Sequence, residues 1–268
     1  MRLILASPRE GLVWVRRAFQ IFFRQPLGFA SLFAACALVF FILLRVPFVG
    51  EPILLIVAPV GSLLFMIAAR LGAAGQRPVP GAFIELASTD RPRVIRMLKL
   101  GLAYLVAALL AVGLIAAVEG DAMTAFMNAA GNPQASPEAT ATQLADPRLQ
   151  AGFLLRLGLG ALLSIPFWHA PALVYWGGQS WAKALFFSTV AIWRNKGAFA
   201  IYGLVWALLG ACFVMLLGVV VNLIGPLPAT YIATPAVLFF TTVLYVSLWF
   251  TFTGCFAEEV AAPPEASA

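Results

Sequence analysis

Apolar residues dominate six long stretches of the chain, and polar residues gather in the segments between them. Each stretch has about the 20 residues that an α-helix needs to cross the hydrocarbon core of a bilayer. The stretches lie at 27–49, 52–69, 100–118, 153–176, 197–224 and 229–257. The pattern predicts an all-α polytopic membrane protein whose six transmembrane helices form three hairpins, with amphipathic helices at the cytoplasmic interface.

Residues 8–24 place basic and apolar side chains on opposite faces of a helix. The basic face carries Arg9, Arg16, Arg17, Gln20 and Arg24, and the apolar face carries Leu12, Val15, Phe19, Phe22 and Phe23. This arrangement is typical of a helix that lies in the membrane interface. We predict an anchor and orientation signal here, and the alternative is a lipid-sensing or partner-docking helix. Residues 179–194, which end in Arg194, show the same pattern more weakly.

The pattern predicts one six-helix domain over residues 1–257. Residues 119–150 are rich in Ala, Thr and Pro and lack an apolar period, so we expect a flexible periplasmic loop with one short helix at 121–130. The polar residues 258–268 predict a disordered cytoplasmic tail.

Short matches along the chain indicate an internal repeat. FFRQPLGFA at 22–30 resembles IWRNKGAFA at 192–200, and a looser copy, VIRMLKLGLA, occupies 94–103. The even-numbered spans contain VAP, HAP and ATP, which end at Pro59, Pro171 and Pro235. We predict three units, each with an interfacial helix, an odd span and a proline-bearing even span.

Composition and charge sharpen this assignment. Hydrophobic residues make up 62% of the chain and charged residues 10%, whereas soluble domains carry about a quarter charged residues. The chain has 17 Lys and Arg residues, and 14 of them lie in three segments. These segments are the one before span one, the one between spans two and three, and the one between spans four and five. The positive-inside rule places these segments and both termini in the cytoplasm. Anionic lipid head groups are the expected partner of this charge, and nucleic-acid binding is not needed to explain it.

No signature of catalysis appears in the sequence. HExxH, GxSxG and P-loop motifs are absent, one histidine with three scattered cysteines does not make a metal site, and no carboxylate lies inside a predicted span. We therefore predict no catalytic residue, no cofactor and no metal. The lack of an embedded carboxylate also argues against ion-coupled transport.

Four polar residues in the spans are the candidate functional positions. His169, in the segment PFWHAP, is either a packed side chain that donates to a carbonyl freed by the flanking prolines, or part of a substrate path or pH response. Arg156 is expected to reach outward to the interface, and Tyr175 belongs to the aromatic surroundings of His169. Asn222 is expected to bond to another helix or to end its own helix.

Two further patterns have structural interpretations. Arg45 and Glu51 flank the turn between spans one and two and are predicted to pair across it. Small residues at 103, 107 and 111 and at 203, 207 and 211 form stripes that pack helices together, or alternatively form a homodimer interface.

The segments WVRRAFQIFFRQP, WAKALFFSTVAIWRN and YVSLWFTFTGCF resemble a family of uncharacterised six-span proteobacterial inner-membrane proteins. This family is distantly similar to YciC-type proteins and to the membrane domains of some glycerophosphodiester phosphodiesterases. The resemblance implies a bacterial inner-membrane location and no activity.

Two functions remain open. The first is a non-catalytic scaffold, assembly or regulatory component with a protein partner. The second is a facilitator or exporter of a small or lipid-like molecule, which requires a cavity that reaches mid-membrane and is lined by residues such as His169, Tyr175, Arg156 or Asn222. A closed interior favours the first.

Overall fold

The computed structural model describes residues 1–132 and 137–257, so the predicted tail at 258–268 lies outside the described residues. The described part contains two strands of two residues each and twelve helices. In chain order they are β1 (Arg2–Leu3), α1 (Glu10–Arg24), α2 (Pro26–Leu44), α3 (Gly50–Ala73), α4 (Pro78–Ala87), α5 (Arg91–Glu119), α6 (Ala122–Gly131), α7 (Pro137–Leu144), α8 (Pro147–Phe167), α9 (Ala170–Tyr175), α10 (Trp181–Arg194), α11 (Lys196–Ile224), α12 (Pro226–Cys255) and β2 (Phe256–Ala257).

Six helical segments are long and apolar enough to cross a membrane, which confirms the predicted fold class. They are α2, α3, α5, α8 with α9, α11 and most of α12. Helices α5 and α8 extend well beyond the predicted spans, since α5 begins at Arg91 rather than at 100 and α8 begins at Pro147 rather than at 153, whereas α2 ends at Leu44 rather than at 49. The start of α8 has a local cause: Asp146 accepts a 2.7 Å hydrogen bond from the Arg148 N–H, and proline fits the first helical turn.

The centre of the bundle is the second half of α3. From Leu63 to Ala69 every residue is at most 4% exposed, and α3 contacts α1, α2, α4, α5, α9 and α12. A helix that is apolar and buried on all sides belongs in the interior. By contrast, α11 exposes many large apolar side chains, among them Leu208 and Met215, which face lipid in a bilayer.

Helix α1 packs along α11 and α12. Its buried residues are Gly11, Trp14, Val15, Ala18, Ile21 and Phe22. The indole of Trp14 lies 5.4 Å from the ring of Phe199 and rests against Gly254, where any side chain would collide with it. Leu12 and Phe23, predicted on the apolar face, are 54% and 64% exposed. The buried face of α1 is therefore rotated relative to the predicted apolar face. It is the face that carries Trp14 and Ala18, which fit between α11 and α12.

The N-terminal segment is tied to the end of α12. Strand β1 pairs with β2 in antiparallel register, and the Ile4 N–H donates to the Cys255 carbonyl at 2.8 Å. Asn195, between α10 and α11, accepts from the Ala6 N–H at 2.6 Å and donates to the Ile4 carbonyl at 3.1 Å. We call residues 2–6 with these partners the N-terminal clip. The bundle end that carries it also holds the start of α5 and is called the basic end.

The described part of 119–150 contains α6 and α7, so the helix predicted at 121–130 is present at Ala122–Gly131 and a second one follows. A short helix precedes two long segments three times along the chain, with α1, α4 and α10 as the short helices. The proline positions are not equivalent, since Pro59 and Pro235 lie inside unbroken helices whereas Pro171 lies in the first turn of α9. The internal repeat stays a prediction.

Candidate functional site

His169 lies at the break between α8 and α9. In a regular helix its N–H would donate to the carbonyl of Ile165, four residues earlier. Instead the hydroxyl of Ser188 on α10 stands between the two groups: it accepts from the His169 N–H at 3.0 Å and donates to the Ile165 carbonyl at 2.9 Å. Pro171 has no N–H, which ends the ladder on the other side. A side chain inserted into the helical ladder is a recognised cause of a kink.

The imidazole of His169 bonds to α12 rather than to a freed carbonyl. Its Nε2 lies 3.2 Å from Oγ1 of Thr251, which also accepts from the indole N–H of Trp168 at 3.1 Å. Thr251 donates its single hydroxyl proton to the Leu248 carbonyl at 2.9 Å. With that proton directed to Leu248, Nε2 is the donor to Thr251 and the neutral imidazole carries its proton there. The bare Nδ1 has no hydrogen-bond partner in the described part of the chain.

Aromatic rings enclose the imidazole. The ring centroids of Phe199, Phe252 and Phe256 lie 5.8, 6.0 and 5.6 Å from that of His169, and His169 is 0% exposed. Phe256 belongs to β2, so the N-terminal clip holds one wall of this enclosure. This is the environment of a packed side chain, which is the first of the two interpretations given for His169.

Replacing His169 with leucine should change the free energy of unfolding by less than about 1 kcal/mol. The hydrogen bond to Thr251 is lost, but the unpartnered Nδ1 disappears with it, and Thr251 keeps Trp168 and Leu248 as partners. His169→Ala should cost about 2–4 kcal/mol because it leaves a cavity in a closed site. Unfolding of the purified protein in detergent, followed by tryptophan fluorescence, compares the two. Equal losses in both variants would contradict a packing role.

Arg156 does not reach outward alone. It forms a bidentate ion pair with Glu119, the last residue of α5, with N–O distances of 2.8 and 2.6 Å. The Glu119 side chain is 4% exposed and that of Arg156 is 37% exposed. Such a fork-to-fork pair fixes the relative orientation of α5 and α8 at the end opposite the clip.

Tyr175 and Asn222 lie apart from His169. Tyr175, at the end of α9, is 7% exposed, and its hydroxyl donates to the Glu85 carbonyl at 3.4 Å. The guanidinium of Arg93 lies over its ring, 5.7 Å from the ring centroid. Asn222 is exposed and donates to the Gly218 carbonyl of its own helix at 2.8 Å, and the bond expected to another helix is not among those of the described residues. No hydrogen bond, ion pair or ring contact of the described residues joins any two of the four candidates.

The membrane-surface basic residues are all exposed. They are Arg9, Arg16, Arg17, Arg24 and Arg194. Arg45 and Glu51 are both exposed as well, and the ion pair predicted between them is not among those of the described residues. The stripe at 203, 207 and 211 is exposed on α11.

Two cavities open near the basic end, and His169 lines neither. The first, about 270 Å³, lies between α3, α4 and α5 and includes Tyr175 and Arg93. The second, about 340 Å³, is bounded by Arg70, Trp176, Trp249 and other aromatic residues of α12 and β2. Arg70 is ion-paired with Glu85 and lies 5.9 Å from the Trp176 ring centroid.

Sequence reasoning missed Glu119, Ser188 and Thr251. Glu119 falls in the predicted loop, but an acid directly after the third apolar run and an arginine just inside the fourth are complementary charges at similar depth. Ser188 and Thr251 gave no comparable signal, since they lie 19 and 82 residues from His169.

Comparison with known proteins gives one curated relative. The chain is 34% identical over 266 residues to a protein of Burkholderia thailandensis named "Probable inner membrane protein", and the match covers 98% of this chain and 97% of the relative. No family model matches the chain, and no solved structure matches it. The resemblance to YciC-type proteins and to phosphodiesterase membrane domains stays a prediction.

Proposed function

The chain belongs to the family of this Burkholderia thailandensis inner membrane protein and is itself a multi-pass inner-membrane protein; from this we propose that it is a non-catalytic component that scaffolds, assembles or regulates partner proteins. The observation that carries the proposal is the closed interior around His169. A facilitator of a small polar molecule needs a polar path between its helices. Here the hydroxyls of Ser188 and Thr251 are bonded to the segment around His169, and aromatic rings fill the space around the imidazole.

The two cavities support the same choice. Both open near the basic end; Tyr175 lines the first, but neither includes His169, Arg156 or Asn222. The run from Leu63 to Ala69 is buried on all sides at the centre of the bundle, and Leu63 lies at the floor of the first cavity. Transport would require this packed helix to move, so the facilitator is the weaker alternative.

We further propose that the basic end faces the cytoplasm and that α1 lies at the membrane surface there. The exposed Arg16 and Arg17 suit anionic head groups, and the exposed Leu12 and Phe23 suit the acyl boundary. The buried face of α1 is taken by α11 and α12, which leaves its basic face for lipid or for a partner protein. This arrangement combines anchoring with a surface for docking.

Affinity purification from native membranes tests the scaffold proposal. The tag belongs after residue 268, because the N-terminal clip would be disturbed by a tag at residue 1. We expect a second membrane protein in near-equal amount, retained after size-exclusion chromatography and absent when an unrelated tagged inner-membrane protein is used. Recovery of the chain alone, as a monomer without bound lipid, would sink the proposal. Uptake or release of a solute by liposomes carrying the pure protein would favour the facilitator instead.

A further inference from the structure

The cavity between α3, α4 and α5 has an apolar floor and a basic mouth. Its walls are Ile56, Val57, Val60 and Leu63 of α3, Val94, Met97 and Leu98 of α5, and Leu86 of α4. Thr89, Arg93 and Tyr175 complete the lining. We call this the lateral groove.

The groove exists because α3 and α5 approach closely at one point and separate beyond it. At Gly101 a Cβ atom would collide with the backbone carbonyl of Ile56, so only glycine permits this crossing. From Ile56 to Leu63 the groove follows seven residues of α3 towards the basic end, about 10 Å along a helix axis. Leu86 and Tyr175 then cover the widened space on the bundle side.

The groove opens to the side of the bundle. Val57, Val94 and Leu98 are 38%, 51% and 51% exposed, whereas Leu63 and Met97 at the floor are 0% and 7% exposed. The exposed rim is continuous with the apolar surface that faces lipid, so a hydrocarbon chain can enter from the bilayer. The volume of about 270 Å³ lies below the usual range for drug-sized ligands and suits part of one chain.

The polar mouth carries an available cation. Arg93 lies over the Tyr175 ring, and its Nε is 3.5 Å from Oδ1 of Asp90. Its two terminal nitrogens have no hydrogen-bond partner among the described residues. Residues 70–99 contain six basic residues and two acidic ones, Glu85 and Asp90, and Glu85 is already paired with Arg70. The field at the mouth is therefore positive and selects an anion.

We propose that the lateral groove binds one acyl chain of an anionic phospholipid, whose phosphate is held by the terminal nitrogens of Arg93. The apolar walls receive the chain, and the guanidinium gives the forked hydrogen bonds that phosphate favours. The stacked Tyr175 ring orients the guanidinium. This site does not depend on the scaffold proposal, because a lipid can be bound whether or not a protein partner is present.

Lipid retention by the pure full-length protein tests the site. The protein is taken from mixed micelles containing either phosphatidylglycerol or phosphatidylcholine with the same chains, and bound lipid is counted by native mass spectrometry. We expect one phosphatidylglycerol to be retained in preference to phosphatidylcholine. Arg93→Gln should weaken retention about tenfold, the equivalent of a lost charge-assisted hydrogen bond. Arg91→Gln, on an exposed neighbour outside the groove, should change it no more than about twofold.

Filling the groove separates a bound chain from a bound head group. Val60→Trp should reduce retention with Arg93 intact, and Val57→Trp at the exposed rim should do the same if the first variant folds poorly. Glycerol phosphate in excess should not displace the lipid. Equal losses in Arg91→Gln and Arg93→Gln would show a diffuse surface charge instead of a site. Indifference to the lipid head group, no effect of either tryptophan, or displacement by glycerol phosphate would each overturn the proposal.

Discussion

Replacing Arg156 with leucine should lower the free energy of unfolding by about 3–5 kcal/mol, because it leaves the Glu119 carboxylate buried without its partner. The carboxylate is 4% exposed and both of its oxygens bond to Arg156. The converse change, Glu119→Gln, should cost only about 1 kcal/mol. Arg156 is 37% exposed and can turn its charge towards water. Unfolding in mixed micelles with increasing SDS measures both variants.

The double variant Glu119→Leu with Arg156→Leu is the control for this asymmetry. Removing both charges from a buried pair is often neutral, so the double variant should recover most of the loss caused by Arg156→Leu alone. A double variant less stable than Arg156→Leu would show that the two residues do not act as a pair. Similar losses in Glu119→Gln and Arg156→Leu would show that burial of the carboxylate is not the cause.

Replacing Trp14 with alanine should cost about 3–5 kcal/mol and loosen α1 from the bundle. Trp14 is 1% exposed and fills the space between Phe199, Tyr202 and Gly254, so its removal leaves a large void. The same SDS titration gives the loss of stability. Limited digestion with trypsin reports on α1 alone. A detached α1 exposes the backbone after Arg16 and Arg17, so the rate of cleavage at these sites should rise.

Phe23→Ala is the matched control on the same helix. Phe23 is 64% exposed, so its truncation should change stability by no more than about 0.5 kcal/mol. Trypsin should then cut no faster than in the unchanged protein. If Phe23→Ala released α1 as readily as Trp14→Ala, the burial of Trp14 would not be what holds the helix in place, because the only ring contact of Phe23 with another helix, among the described residues, is with Phe239.

The six spans could be predicted because crossing a bilayer imposes a length and an apolar composition on each helix. Where the helices end could not be predicted as well. Helix α5 begins at Arg91, nine residues before the predicted span, because a helix continues through the polar interface for as long as its backbone and caps allow. Pro171 near the break at His169 is visible in the sequence because the effect of proline on a helix is local, whereas the inserted Ser188 hydroxyl comes from another helix.

The contacts between helices at the candidate site could not be predicted from the sequence pattern. A helical wheel shows that α1 has an apolar side, but which residues are buried depends on the shape of α11 and α12, and Trp14 rather than Phe23 fits there. The partners of His169 are one hydroxyl on α10 and one on α12, far apart along the chain. Arg156 was recognised and its partner was not, since pairing across two helices needs their relative position.

The N-terminal clip sets an order of events during synthesis. The Ala6 N–H is made 189 residues before Asn195, the side chain that accepts from it. At ribosomal rates of 5–20 residues per second, residues 2–6 wait roughly 10 to 40 s for this partner. They wait longer still for Cys255, which ends the last span, and for β2, which follows it. Closure of the clip is therefore a late event, and it reports that the final helix has been inserted.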